Sequence, residues 1–146
     1  MHPTTLAISF SGLLLLAAAP NSSVTKEPEH ITIQHVLIGF TGSVPHKPIT
    51  RTQDDAKKLA EEILARAKKG ENFDELVKKY TDDSAPGIYM MANTGVAPAA
   101  DGEYARKGMV PAFGDAGFPL KVGEIGMASY DSTKSPYGWH IVKRLK

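Results

Sequence analysis

The hydrophobic and polar positions of this chain change their spacing several times and so mark out separate strands and helices. Residues 31–40 are dense in β-branched and apolar side chains, a composition typical of a strand. Residues of one parity in a strand share one face of the sheet. Here they are Ile31, Ile33, His35 and Leu37. The pattern therefore predicts that His35 points in the same direction as core side chains.

Two amphipathic helices are expected after this strand. Thr52 is suited to cap the first helix, and Gly70 marks its end. The apolar residues between them recur at helical spacing and form one stripe. They are Ala56, Leu59, Ala60, Ile63, Leu64 and Ala67. Asn72 with Glu75 three residues later resembles a capping box and predicts a second helix that ends near Thr81.

The second half of the chain has weaker patterns. Residues 82–108 are rich in glycine and proline without a sustained period, so we expect a long loop with one short strand. Pro111 suits the first turn of a short helix that reaches Ala116. Residues 125–130 and 138–145 predict the strands of a C-terminal hairpin. Because helices and strands do not alternate regularly, we expect an α+β fold rather than a doubly wound parallel sheet.

The first 25 residues differ from the rest because they contain no Asp, Glu, Lys or Arg. Their apolar run, residues 6–19, has the length of a signal-peptide apolar region and is shorter than the ~20 residues of a membrane span. We interpret residues 1–25 as a signal peptide or an uncleaved N-terminal anchor, which predicts export to the periplasm or the extracellular space. Membrane association through residues 6–19 is expected only without cleavage. Residues 26–30 are interpreted as a linker and residues 31–146 as one domain.

Charge and cysteine content exclude several function classes. The 17 basic and 16 acidic residues nearly cancel, so no strong field favours nucleic acid, and we expect no such partner. The chain has no cysteine, which excludes disulfides, thiolate nucleophiles and thiolate metal sites. Any catalytic chemistry must therefore come from other side chains.

Six short strings follow one another along residues 31–146. They are IQHVLI (33–38), NFDEL (72–76), YTDDS (80–84), MVPAF with DA (109–116), VGEI (122–125) and YGWHIV (137–142). In this order and spacing they resemble the parvulin family of peptidyl-prolyl cis/trans isomerases. The resemblance implies a small antiparallel sheet of about four strands surrounded by about four helices.

The resemblance also implies a polar catalytic centre. His35 and His140 correspond to the family's paired histidines on neighbouring central strands, and Asp83 corresponds to the polar residue that faces them. The implied activity is non-covalent isomerisation of X-Pro bonds in extended or unfolded polypeptides, without a cofactor or metal. Such an activity would assist the folding of exported proteins.

Three further residues match the family's binding surface. Met109 and Phe113 correspond to positions that wall the proline pocket, and Tyr137 corresponds to its outer rim. The implied partner is therefore a proline-containing peptide or an unfolded protein.

The chain departs from the family pattern at residues 86–104, which replace a short glycine-rich turn and a Leu-Gly strand. The nearest match to that strand is residues 101–104, which would put Asp101 at an apolar pocket wall. The alternatives for this wall are Ile88, Tyr89, Met90 and Met91.

A second departure concerns phosphate recognition. Gly39 lies where a lysine would help to bind phosphate, and only His46, Lys47 and Arg51 are nearby. We therefore expect no phosphate-specific recognition.

Other functions stay open at this point. The unusual residues 86–104 suit a chaperone or peptide-binding module with weak or no isomerase activity. His35, Asp83 and His140 are also suitable metal ligands by residue type, and the two histidines could serve mainly to hold the sheet together. A Ser-His-Asp hydrolase is disfavoured because no serine lies in a recognisable nucleophile turn.

Overall fold

The computed structural model describes residues 26–146. In chain order the elements are β1 (His30–Ile38), α1 (Gln53–Lys68), α2 (Phe73–Tyr80), β2 (Ile88–Ala92), β3 (Glu103–Ala105), α3 (Pro111–Gly117), β4 (Ile125–Ala128) and β5 (Trp139–Arg144), with a 3₁₀ turn at Arg106–Gly108 before α3. The predictions for residues 1–25, including the apolar run 6–19, lie outside this part of the chain. Within residues 26–146, no helix has the length and apolar character needed to cross a bilayer.

The strands form one five-stranded sheet in the order β3-β2-β1-β5-β4. β1 pairs antiparallel with β2 and β5, and β4 pairs antiparallel with β5, whereas β3 runs parallel to β2. The α+β class is thus confirmed, with two corrections. Over residues 26–146 the sheet is mixed and has five strands rather than four antiparallel ones, and three α-helices surround it rather than four.

The extra strand comes from the segment that was expected to be a loop with one short strand. Residues 82–108 contribute both β2 and β3. Residues 93–102 return the chain to the start of β2, so β3 runs alongside it in the same direction. Strands of five and three residues are too short to show a period, and their partners are remote in sequence.

Both predicted helix starts are confirmed by their caps. The Thr52 hydroxyl oxygen accepts a hydrogen bond from the Asp55 backbone N–H at 3.1 Å. The Asn72 side-chain oxygen accepts one from the Glu75 backbone N–H at 3.2 Å. Each bond satisfies a backbone donor that a helix N-terminus otherwise leaves unpaired.

The two faces of the sheet carry separate apolar cores. One face packs against α1 and α2, and its buried residues include Val36, Ile38, Ile63, Leu76 and Ile141. The other face packs against α3, and its buried residues include Ile31, Ile33, Met91, Phe113 and Val142. His35 shares the parity of Ile31 and Ile33, so it lies on the α3 face, where the site forms.

Gly138 allows β5 to begin directly beside the end of β1. Its φ is 138°, and a Cβ atom added there would lie 2.1 Å from the carbonyl oxygen of Ile38. Any side chain at this position would therefore push the two central strands apart.

We predict that Gly138→Ala destabilises the domain by about 2–5 kcal/mol, because left-handed backbone strain adds to a steric clash. Gly123→Ala is the matched control: its φ is also positive, at 86°, but its new Cβ would have no heavy atom within 4 Å. The control should cost about 1–2 kcal/mol, since only the strain applies. Urea unfolding measures both free energies, and equal costs would show that the close approach is unimportant.

Candidate functional site

Two histidines meet on the central strand pair. In the register of β1 and β5, Leu37 lies opposite His140, and His35 lies opposite Val142. The imidazoles stack at 15° to each other with their centroids 5.2 Å apart, and the two Nδ1 atoms are 3.1 Å apart. Both residues are buried, with 3% exposure each. The structure thus brings together the two residues that the sequence paired.

A directed chain of hydrogen bonds follows from the chemistry of these groups. His35 Nε2 lies 2.9 Å from Asp83 Oδ2, and a carboxylate only accepts, so Nε2–H is the donor. In the tautomer that carries no proton on His35 Nδ1, this atom accepts from His140 Nδ1–H. His140 Nε2 is left as a buried acceptor with no hydrogen-bond partner among residues 26–146. The order of donation is therefore His140 to His35 to Asp83.

The pKa values agree with this arrangement of charges. Burial, together with nearby His35, lowers the pKa of His140 to about 3, so its imidazole is neutral at physiological pH. The hydrogen bond from His35 holds the pKa of Asp83 well below its usual range. The site therefore contains an anionic Asp83 carboxylate and a neutral, buried His140 imidazole.

Asp83 reaches the histidines because the end of α2 is fastened to β1. The Thr81 hydroxyl oxygen accepts hydrogen bonds from the backbone N–H groups of Leu37 at 3.1 Å and Asp83 at 3.3 Å. The Asp82 N–H donates to the Leu37 carbonyl at 2.8 Å. Residues 81–83 are thus hydrogen bonded to both the N–H and the carbonyl group of Leu37, which fixes where Asp83 enters the site.

A cavity of about 270 Å³ opens beside these polar groups. All six residues that the sequence assigned to the site line it: His35, Asp83, His140, Met109, Phe113 and Tyr137. The rest of its lining is largely apolar and includes Leu37, Val44, Pro45 and Val110. The result is an apolar slot with a polar side formed by the two histidines and the aspartate.

Tyr89 on β2 supplies the wall that the sequence could not assign. It lines the cavity, whereas Asp101 is exposed and does not, so the match of residues 101–104 to this wall is wrong. The Tyr89 hydroxyl donates to Asp83 Oδ2 at 2.7 Å, a contact that sequence reasoning missed. The available signal was parity, because Tyr89 and buried Met91 share one face of β2.

The loop between β1 and α1 forms the opposite wall through Val44 and Pro45. Arg51 holds this loop: its Nη1 donates to the Gly39 carbonyl at 2.9 Å and pairs with Asp82. The Gly39 N–H also donates to Asp82, at 2.8 Å. The Arg51 guanidinium is therefore engaged within the fold, in the region where a phosphate group would need a basic residue.

The polar side chains of the site are arranged as a hydrogen-bond chain. The two Nδ1 atoms face each other, and both nitrogens of His35 are already bonded. Across residues 26–146, no group of three or more His, Asp or Glu side chains is arranged to hold a metal ion. The three polar residues can orient one another and present one carboxylate to the cavity.

Comparison with known proteins finds chains of similar sequence and fold. The family model described as "PPIC-type PPIASE domain" matches residues 20–146. "Foldase protein PrsA" of Caldanaerobacter subterraneus subsp. tengcongensis is 34% identical over 143 residues, which cover 84% of this chain and 43% of that protein. "Chaperone SurA" of Pseudomonas fluorescens is 27% identical over 118 residues, which cover 80% of this chain and 23% of that protein.

A solved structure shares the fold. The solution structure of TbPIN1 superposes with a TM-score of 0.60 and 25% identity, covering 81% of this chain and 98% of that one. The two curated relatives are longer, since this chain spans less than half of their length.

We predict that buried His140 makes the domain sensitive to mild acid. Its pKa of about 3 in the folded state lies below the ordinary 6.5, so the unfolded chain binds the extra proton first as the pH falls. The stability that neutral His140 contributes is fully present above pH 6.5 and is lost as the pH falls. The slope of the free energy of unfolding against pH approaches about 1.4 kcal/mol per pH unit.

The measurement is the free energy of unfolding at several pH values from 7 to 5, in wild type and in His140→Gln. The variant should show the shallower loss. Asp83 titrates below its ordinary value of 3.8, so it does not disturb this range. Identical slopes in the two proteins would contradict a neutral, buried His140.

Proposed function

This chain belongs to the PPIC-type peptidyl-prolyl isomerase family, and we propose that its domain accelerates rotation about X-Pro bonds in extended or unfolded polypeptides. The observation that carries the proposal is one cavity in which apolar walls adjoin the His140–His35–Asp83 hydrogen-bond chain. An isomerase needs a surface that binds the proline ring, which the apolar walls would supply. It also needs a group that favours the twisted peptide bond, which the hydrogen-bond chain would supply.

The reaction sets modest demands on a catalyst. Resonance in the planar peptide bond creates a barrier of about 18–20 kcal/mol, whereas the cis and trans forms of an X-Pro bond differ by only about 0.5–1 kcal/mol. Each tenfold acceleration needs about 1.4 kcal/mol of preferential binding to the twisted state. No covalent bond to the protein is required, which suits a chain without cysteine.

The apolar walls suit the proline ring. Phe113 is buried at 2% exposure and presents its ring to the cavity beside Met109. A ring held there loses contact with water, and so does the carbonyl group next to it. Because water hydrogen bonds to the carbonyl oxygen favour the planar form, their removal favours rotation.

Asp83 suits the electrostatic part of the task. In the planar amide the carbonyl oxygen carries partial negative charge and the prolyl nitrogen partial positive charge, and both diminish as the bond twists. A carboxylate held near the carbonyl oxygen disfavours the planar charge distribution more than the twisted one. Catalysis of this kind depends on a charge that is placed before the reaction begins. In this proposal the two histidines act by holding Asp83 anionic and in place.

A second candidate function is a chaperone that binds extended chains without isomerising them. The relatives are named both foldase and chaperone, and Tyr137, which lines the cavity, is 40% exposed. Both functions would use the same cavity, so only a measurement of rate separates them.

We predict that the domain accelerates cis/trans exchange of an Ala-Pro peptide and that Phe113→Ala combined with Met109→Ala abolishes most of this acceleration. The double variant removes the surface against which the proline ring packs. Exchange spectroscopy on the peptide measures the rate directly. If wild type is no faster than the double variant, the isomerase proposal is wrong and the chaperone function is favoured.

Two additions to the same assay test the finer expectations. EDTA should leave the rate unchanged, because the proposed mechanism uses no metal. A phosphoserine-proline peptide should not exceed its serine-proline counterpart, because the Arg51 guanidinium is bound to Asp82 and the Gly39 carbonyl. A rate that depends on metal or on phosphate would contradict the corresponding expectation.

We also propose that the protein acts outside the cytoplasm. The proposal rests on the uncharged residues 1–25 with their apolar run at 6–19. Expression in a bacterial host followed by fractionation and intact-mass analysis should place the protein in an exported fraction with the N-terminal residues removed. A full-length protein in the cytoplasm alone would refute export.

A further inference from the structure

We propose that Tyr89 is a positioning residue of this site, whose hydroxyl group fixes the orientation of the Asp83 carboxylate beside the proline cavity. The inference rests on the proposed function in that it assigns Asp83 a role in rotation of the X-Pro bond. It goes further because it adds a residue from β2, within the segment that departs from the family pattern.

The contact geometry carries the proposal. Asp83 Oδ2 accepts two side-chain hydrogen bonds, from the Tyr89 hydroxyl at 2.7 Å and from His35 Nε2 at 2.9 Å. Both donors meet the same oxygen, so Oδ1 receives neither of them. The Asp83 side chain is 32% exposed. One oxygen is thus held by two side chains from neighbouring strands, and the carboxylate lines the cavity.

A second donor matters because the carboxylate has little orientation of its own. The terminal torsion of aspartate joins sp³ and sp² carbons and has a broad energy profile. Without Tyr89, His35 would be the one side-chain donor beside the Ser84 backbone N–H, and a single side chain would orient the carboxylate. A second donor arriving from another direction removes that freedom, which suits electrostatic catalysis that needs a charge placed in advance.

The Tyr89 ring is itself held firmly. It meets the His35 ring edge-on with centroids 5.4 Å apart and the Phe113 ring edge-on at 5.6 Å. Its backbone lies opposite Ile33 in the pairing of β2 with β1. The position of the Tyr89 hydroxyl is therefore set by strand pairing and by two packed rings. A mobile water molecule could not hold the Asp83 carboxylate in this way.

The groups around Asp83 determine how its pKa responds to a change at Tyr89. His35 faces it from β1 and Tyr89 from β2, the Ser84 backbone N–H lies next to it in the chain, and His140 on β5 lies behind His35. Its sequence neighbour Asp82 pairs with Arg51. Removal of the Tyr89 hydroxyl takes away one of the hydrogen bonds that lower the pKa of Asp83, so this pKa should rise.

The test is Tyr89→Phe, which keeps the ring and removes the hydroxyl. We expect kcat for an Ala-Pro peptide to fall about tenfold with little change in KM, as for the loss of one hydrogen bond to a charged group. A carbon-detected NMR titration of the Asp83 carboxyl should show a higher pKa than in wild type. Tyr89→Leu, which also lacks the hydroxyl, should change both readouts in the same direction.

Tyr104→Phe is the matched control. Tyr104 is 50% exposed on β3 with its ring 6.1 Å from that of Tyr89, and its hydroxyl does not reach Asp83. This variant should match wild type in kcat and in the Asp83 titration. Unchanged values in Tyr89→Phe, or equal changes in both variants, would overturn the proposal. Because the titration needs no substrate, it tests the positioning of Asp83 even if wild type fails to accelerate exchange.

Discussion

The antiparallel pairing of β1 with β5 sets the positions of the two histidines on which the site depends. Its register places Leu37 opposite His140 on the α3 face of the sheet, from which the His140 imidazole reaches His35. A slip of one residue would turn a whole strand over and send His140 toward the helices α1 and α2. The register is protected where β5 begins, because Gly138 lies against the Ile38 carbonyl in a space that no side chain could share. A glycine outside the cavity thus determines whether the histidines meet.

The same pairing buries His140 in the sheet, and this burial costs free energy. An imidazole buried at 3% exposure, with Nε2 unpaired among the described residues, lacks a hydrogen bond that water would provide, and such groups typically cost about 1–3 kcal/mol. In return, neutral His140 can donate through Nδ1 to His35, which leaves the His35 Nε2–H directed at Asp83. A protein selected only for stability would have little reason to keep this arrangement, which is consistent with a functional role for the chain of hydrogen bonds.

The parts of the fold that follow from local sequence were predictable. Thr52 and Asn72 marked the starts of α1 and α2 because a cap depends on residues within one turn of it. The face of His35 followed from the parity of β1, which needs only neighbouring residues. The pairing of His35 with His140 was available only through resemblance to a known family, since no local pattern states which strands are neighbours.

The parts that depend on distant contacts were not predictable. β2 and β3 are short, and their pairing arises from a return of the chain at residues 93–102, whose turn signals do not specify which strands pair. Without that pairing, residues 101–104 were the nearest match for the open wall of the cavity, and Tyr89 was one of four alternatives. Tyr89 was found only when its hydroxyl could be placed beside Asp83.

In the proposed function, the cavity would select proline and tolerate varied neighbouring residues. Its walls come from the 39–51 loop, β2, α3 and the start of β5. These segments are anchored to the fold and also to one another, since the Ser43 hydroxyl donates to the Tyr137 carbonyl at 2.9 Å and the Tyr89 ring packs against that of Phe113. Arg51 is an example: it holds the loop that carries Val44 and Pro45, and its charge is balanced by Asp82 instead of facing the cavity. The remaining charge at the site is the Asp83 carboxylate, which would repel an anionic side chain and accept a neutral one. In the proposed function, such a surface would recognise a ring shape and a peptide bond more than a particular sequence.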